Sequence, residues 1–326
     1  MTQRLKLSVM RHGPLLTTIT IFLMAYIIGA QLYPAMQRPQ AFFNLFINNG
    51  FLLIIGIGMT FVILTGGIDL SVGGVLALTT AASAALLKIG FSAAFVIPLM
   101  LVMGTAIGLG LGSIIHFFKV QPFIVTLMGL FFARGLAYII SLTSVTITDP
   151  FYKYLALTPI YMPFFEKAYI YIPTLVGPLL LLVAIYLAYF TRFGRIMYAL
   201  GNNEQSAGLM GFPVGRTKIM VYGFNGFCSA LAGIVFSISL LAGYGQFATG
   251  VELDVIAAVV MGGTLLTGGV GSVIGTLFGI LIEGTIISIL QYNGTLSSWW
   301  TRICVGALTL IFIGIQSGFA RRKKEL

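Results

Sequence analysis

Residues 63–74 read ILTGGIDLSVGG, one aspartate among four glycines between two apolar runs. The surrounding chain makes that placement costly. Of its 326 residues 58% are hydrophobic and 8% charged, and the mean hydropathy is +1.03, outside the range of soluble domains. Several apolar runs approach the roughly 20 residues that cross a bilayer as helix. The alternating pattern of a membrane barrel is absent, and lipid then leaves helices as the only spanning structure. The fold class is therefore an all-α polytopic membrane protein, and ILTGGIDLSVGG is a break between two of its helices.

Ten crossings are predicted, over 14–32, 51–66, 72–87, 92–115, 122–142, 172–190, 219–241, 255–267, 271–290 and 300–317. The first is too long for a signal-peptide core and lacks a small-residue cleavage site, so it reads as a retained span. Lys and Arg are held on the cytoplasmic side of short loops. With both termini cytoplasmic, twelve of the 18 basic residues fall on inner segments and five on outer ones, with Arg134 inside a span. The net charge of +10 is thus topology charge and does not call for nucleic acid. The longest outer loop is 143–171, including Glu166, and the longest inner one 191–218. Trp299 and Trp300 begin the last span at the outer interface, where indoles sit well. Cys228 and Cys304 lie in apolar segments and read as packing residues.

By this topology the opening stretch turns the chain at the inner side. The second span, 51–65, would rise only about 22 Å, so the reversal reaches into the membrane boundary. Such backbone survives only inside protein or beside a wet cavity. The stretch has an echo. Residues 59–73 align without gaps on 261–275 at an offset of 202, matching Met59 with Met261, LTGG at 64–67 with LTGG at 266–269, and Gly73 with Gly275. Paired glycine-broken spans in two halves of a chain point to a transport pathway, and these two would form a weak parallel internal repeat. Coincidence in a chain with 40 glycines is the competing reading. The copies differ at one place, since Gly271 stands where the first has Asp69.

Asp69 is either a pathway or gating charge, or with Ser71 a cap for the following helix. Asn48 and Asn49, just before the second span, would hydrogen-bond a passing polar solute or cap that span. Glu252 and Asp254 at the outer face would meet a basic partner or form a gate with Phe247; capping a helix near Val255 is the alternative. Arg134 and Glu283 lie 12 residues up from span starts near 122 and 271, at similar depth of about 18 Å. They are expected to form a buried ion pair, against the alternative of separate snorkelling or pore-facing charges. At the inner loop, Asn202-Asn203-Glu204 resembles a capped helix start, and the helix would run through Ala207 to Gly211.

ILTGGIDLSVGG, joined to FLLIIGIGMTFV at 51–62, resembles the signature of permease subunits of ribose-type ABC sugar importers. So do RFGRIMYALGNNEQSAGLMGFPVGRTK at 192–218, GVELDVIAAVVMGGTLLTGGVGSVIGTLFGI at 250–280 and NGTLSSWWTRI at 293–303. The last two look most like one of the paired permeases of the galactofuranose importer. The resemblance covers nearly the whole chain and implies a type II importer permease of the bacterial inner membrane. It implies as partners a periplasmic sugar-binding protein, a double-cassette ATPase carrying ATP and Mg, and a second, paralogous permease. It makes 191–218 the coupling loop, with Glu204 and Gly211 matching the ends of the family's Glu-Ala-Ala…Gly pattern and Asn202 and Ala207 beside them. Gln205 and Ser206 depart from its two alanines.

No G-x-x-x-x-G-K-[ST] stretch, His-Glu-x-x-His or Cys-x-x-Cys spacing occurs, and His12 and His116 both sit at inner boundaries. No catalytic constellation, metal site or bound cofactor is expected. The function expected is a monosaccharide conduit driven by a partner's ATP. The alternative is a stand-alone ion-coupled transporter or channel for a small polar solute, working through Asp69, Arg134 and Glu283.

Overall fold

The computed structural model describes residues 2–165 and 167–294, with seven isolated positions from 300 to 314; the side chains of residues 2–14 are outside the description. The elements are α1 (Thr2–Leu32), α2 (Pro39–Leu64), α3 (Val72–Lys88), α4 (Ala93–Phe118), α5 (Pro122–Ile140), β1 (Val145–Thr146), α6 (Pro150–Leu157), β2 (Pro159–Tyr161), β3 (Tyr169–Tyr171), α7 (Val176–Phe190), α8 (Arg192–Asn202), α9 (Glu204–Leu209), α10 (Val214–Leu240), β4 (Ala242–Gly243), α11 (Val251–Met261) and α12 (Val273–Asn293). Among the described residues seven helices are long and apolar enough to cross a membrane. α3 is shorter at 17 residues. The expected tenth crossing, with Trp299 and Cys304, lies largely outside the described residues, as does Glu166.

Two expected spans take a different form. The second does not begin at Phe51. Pro39 opens the helix, where its missing N–H costs nothing, and α2 runs 26 residues, about 39 Å. It is long enough to cross unaided, so the reversal is not forced by a short span. Asn48 and Asn49 fall inside α2 and cap nothing. The segment expected to cross over 255–267 is α11, a helix of 11 residues, about 16 Å long. Irregular chain from Gly262 to Ser272 then leads into α12.

α2 is the centre of the fold. Every residue from Leu52 to Leu64 is buried, as an all-round apolar helix requires. α10, α12, α11 and α7 pack around it, and α10 in turn carries α4 and α3. The α4–α10 contact is built on glycines. Gly104, Gly108 and Gly112 recur every four residues on one face of α4, and α10 answers with Gly226. A Cβ on Gly108 would meet the Tyr222 carbonyl. Close backbone approach of this kind is how helices gain contact where lipid removes the hydrophobic drive.

The described residues between α5 and α7 form short elements. Asp149 caps α6 by accepting from the amides of Phe151 and Tyr152, both at 3.0 Å. β2 and β3 pair antiparallel, and β1 pairs with β4 from beyond α10.

Candidate functional site

The two LTGG runs, 202 residues apart in sequence, lie against each other. α2 ends at Leu64, and its terminal carbonyl accepts the Gly269 amide at 2.9 Å. Gly268 rests on Gly66, where a Cβ would come 2.7 Å from the Gly66 nitrogen. Gly66, Gly268 and Gly269 have φ of 80°, 83° and 72°, so both runs turn through the left-handed region that glycine enters freely. Their frames differ: α2 and α3 flank the first, and the short α11 with α12 flanks the second.

Asp69 is buried, at 1% exposure, in the turn that follows the first run. Its Oδ1 accepts from the Ser71 amide at 2.9 Å and the Ser71 hydroxyl at 2.6 Å. Its Oδ2 accepts from Asn225 Nδ2 on α10 at 2.8 Å. This is an aspartate turn locked to a neighbouring helix, and neither Asp69 nor Ser71 caps the free amides of α3 by side chain. Satisfied donors are what allow a carboxylate here. Sequence reading missed Asn225; its only signal was an amide side chain inside an apolar helix.

Arg134 and Glu283 do not pair. Arg134 Nη1 donates to the carbonyls of Gly245 at 3.1 Å and Phe247 at 2.6 Å, and Nη2 to Ala248 at 3.2 Å. Three backbone acceptors match the fixed fork of a guanidinium. They hold the 243–250 segment, in which Ala248 sits at φ 57°. α5 packs on α3 and α4, whereas α12 packs on α1, α2 and α11. Equal depth counted along two helices therefore put these charges in different neighbourhoods. Glu283 is 3% exposed, with Asp254 as the charge acting on it.

Glu252 and Asp254 lie in the first turn of α11, where acids suit the helix dipole, and the helix they begin starts at Val251, not Val255. The Glu252 carboxylate lies against Gly73 in the first turn of α3. Phe247 meets Phe236 edge-on with centroids 5.4 Å apart, and Phe236 meets Phe51 at 4.6 Å. Phe51 and Phe236 line a cavity of about 370 Å³ with Asn48, Tyr171, Thr174 and Ser239. Asn48 thus faces open space. Asn49 instead donates to the Leu45 carbonyl at 2.8 Å and packs on Gly284.

At the opposite end of α2 stand α8 and α9. Asn203 caps α9 by accepting from the Ser206 amide at 2.8 Å, and Asn202 turns back to the Tyr198 carbonyl at 2.9 Å. Gly211, at φ 79°, ends the turn. Glu204 receives Lys218 of α10 at 2.6 Å, the single ion pair among the described residues. Ala207 is the buried residue of α9, so it packs inward and is not on the outer face. That face instead presents Leu209 and Met210, 90% and 62% exposed, an apolar knob sequence reading did not single out.

A bundle of apolar helices with glycine-built reversals, a buried polar turn and a protruding two-helix elbow defines a multi-pass membrane transport component. Residues 41–313 match the family described as "Branched-chain amino acid transport system / permease component". The chain is 45% identical over 312 residues to the inner membrane ABC transporter permease protein YjfF of Escherichia coli K12, covering 94% of this chain and 93% of that one. It is 37% identical over 307 residues to the fructose import permease protein FruG of Bifidobacterium longum, covering 93% and 90%. To the ribose import permease protein RbsC of Escherichia coli K12 it is 35% identical over 302 residues, covering 89% of each. No solved structure matches it. The chain belongs to this family of ABC transporter permeases, whose sugar-importing members are transport components and not enzymes.

Proposed function

We propose that this chain is one permease subunit of an ATP-driven monosaccharide importer in a bacterial inner membrane, and that its sugar is galactofuranose. The observation that carries the transport reading is the exposed α8–α9 elbow beside the paired LTGG runs. A stand-alone carrier has no use for a capped helix that offers Glu204, Leu209 and Met210 to a partner. The elbow end is cytoplasmic in this reading, in keeping with Arg192, Arg195, Arg216 and Lys218 around it. Asn202, Glu204, Ala207 and Gly211 belong to the coupling element, Ala207 by seating it and Gly211 by ending it. ATP and Mg are held by the partner ATPase. A second, paralogous permease supplies the other half of the pathway, and a periplasmic binding protein delivers the sugar.

The sugar assignment is supported by the 250–280 and 293–303 stretches, and the monosaccharide class by relatives named for ribose and fructose import. Asn48 and Phe247 are assigned to the pathway because one faces, and the other borders, the aromatic cavity at the end of α2 remote from the elbow. A weak site suits a conduit, which must release what it is given. ATP binding at the partner would bias the permease between two access states through the elbow. The test is uptake of radiolabelled galactofuranose, galactose and ribose by cells with and without the chain. Galactofuranose uptake that depends on the chain supports the assignment; dependence for ribose alone overturns the sugar, and dependence for none overturns the importer.

A further inference from the structure

We infer that Gly201 is the contact through which movement of the α8–α9 elbow reaches both glycine reversals at once. Gly201 lies in the last turn of α8, two residues before the Asn203 cap of α9. A Cβ built there would run into the Leu64 carbonyl oxygen and the Gly269 nitrogen, the two atoms that join the LTGG runs. The neighbouring side chains grip the same place. Asn202 Oδ1 lies over Gly269, and the Tyr198 hydroxyl donates to the Gly271 carbonyl at 3.0 Å.

On the α9 side of the elbow the contact to α10 runs through side chains, the Glu204–Lys218 pair. A cavity of about 170 Å³ opens among Thr65, Gly66, Gly67, Glu204, Lys218 and Tyr222, so the Glu204–Lys218 pair faces the first reversal across a space. Backbone pressed on backbone with no side chain between has little slack, since close-packed contacts transmit displacement and long flexible side chains absorb it. A push on α9 therefore arrives at residues 64–66 and 268–271 together. From there it passes to the Asp69 turn and α3 on one side and to α12 on the other. Gly201 acts as a positioning residue. Its glycine identity is required by contact, because its φ lies outside the left-handed region.

The inference rests on the coupling role proposed for α9. Its test uses the complete transporter in proteoliposomes, with Gly201→Ala and Tyr198→Phe compared with wild type for yield, ATP hydrolysis and sugar moved per ATP. The Gly201→Ala complex is expected to assemble and hydrolyse ATP while sugar moved per ATP falls about tenfold. Tyr198→Phe removes one hydroxyl without adding bulk and is expected to shift the same ratio, by less. A purely structural contact would lower yield, hydrolysis and transport in proportion and leave the ratio alone, which overturns the inference. If Gly201→Ala fails to assemble, Tyr198→Phe decides by the same ratio. Glu204→Lys separates the two levels: uncoupling by Glu204→Lys with an unchanged ratio in both other variants sinks the Gly201 contact and spares the coupling role. Absence of an ATPase from the wild-type complex sinks both.

Discussion

The Gly269 amide donates to the Leu64 carbonyl at 2.9 Å, so the end of α2 is closed by a residue 205 positions further along the chain. A helix end leaves carbonyls without intrahelical partners, and with Leu64 buried in the protein no bulk water is at hand to take this one. The second LTGG run supplies one such partner, which gives the repeated motif a physical role.

Asp69 serves the turn that follows. Removing its carboxylate strands the donors of Ser71 and Asn225, and bonds to a charged group are worth about 1.5–3 kcal/mol each net. Asp69→Ala is expected to lower the melting temperature of the detergent-purified chain clearly. Asp69→Asn should cost less than half as much, because Asn225 Oδ1 is buried without a partner and the Asn225 amide can flip to meet the new donor. Near-normal transport in Asp69→Asn agrees with a structural turn. A stable variant that no longer transports would show the charge itself to be needed.

Arg134 gives a second test. Its three carbonyl bonds need the planar fork, which lysine lacks. Arg134→Lys should therefore destabilise the chain by about 1–3 kcal/mol despite keeping the charge. The exchange Arg134→Glu with Glu283→Arg should recover nothing relative to the single variants, read as folded yield in membranes. Recovery in the double variant would mean that the two side chains meet after all.

The α4–α10 glycine row predicts a contrast between two neighbouring glycines. Gly108→Ala places a methyl against the Tyr222 carbonyl and should cost about 1–3 kcal/mol, whereas Gly110, with nothing within 4 Å, should accept alanine at no cost. Thermal melts of the two variants check this. Equal melting temperatures would remove the close approach.

The Glu204–Lys218 pair is solvent-exposed on the Glu204 side, at 54%, and such pairs contribute about 0–1 kcal/mol. Lys218→Ala should accordingly melt like the wild type. Glu204→Lys should leave insertion and yield unchanged yet separate ATP hydrolysis from uptake. Normal uptake in Glu204→Lys would contradict the role given to α9.

The sequence made the helical membrane class plain through composition alone, and LTGG at one offset drew attention to the residues that turn out to touch. It did not disclose that touching, because hydropathy counts residues along a helix and is blind to which helices are neighbours. Arg134 and Glu283 failed as a pair for that reason. The helix beginning at Val251 was taken for a full span starting near Val255 for another: an 11-residue helix and a full span have the same hydropathy until their ends are known. A capping role stood open for Asn48 and Asn49, beside solute binding, because Pro39, the true opening of α2, was passed over as loop. The glycine row at 104, 108 and 112 was legible at its spacing of four and went unread. The Asp69–Asn225 bond joins residues 156 apart, and nothing local in either stretch announces the other.

The central claim is that this permease moves sugar only when a partner's ATP cycle drives its elbow. Radiolabelled sugar uptake into proteoliposomes holding the complete transporter, with ATP supplied or withheld and an ion gradient imposed in either case, tests it most directly. The account predicts accumulation only with ATP, whatever the gradient. Accumulation driven by the gradient with ATP withheld would contradict it.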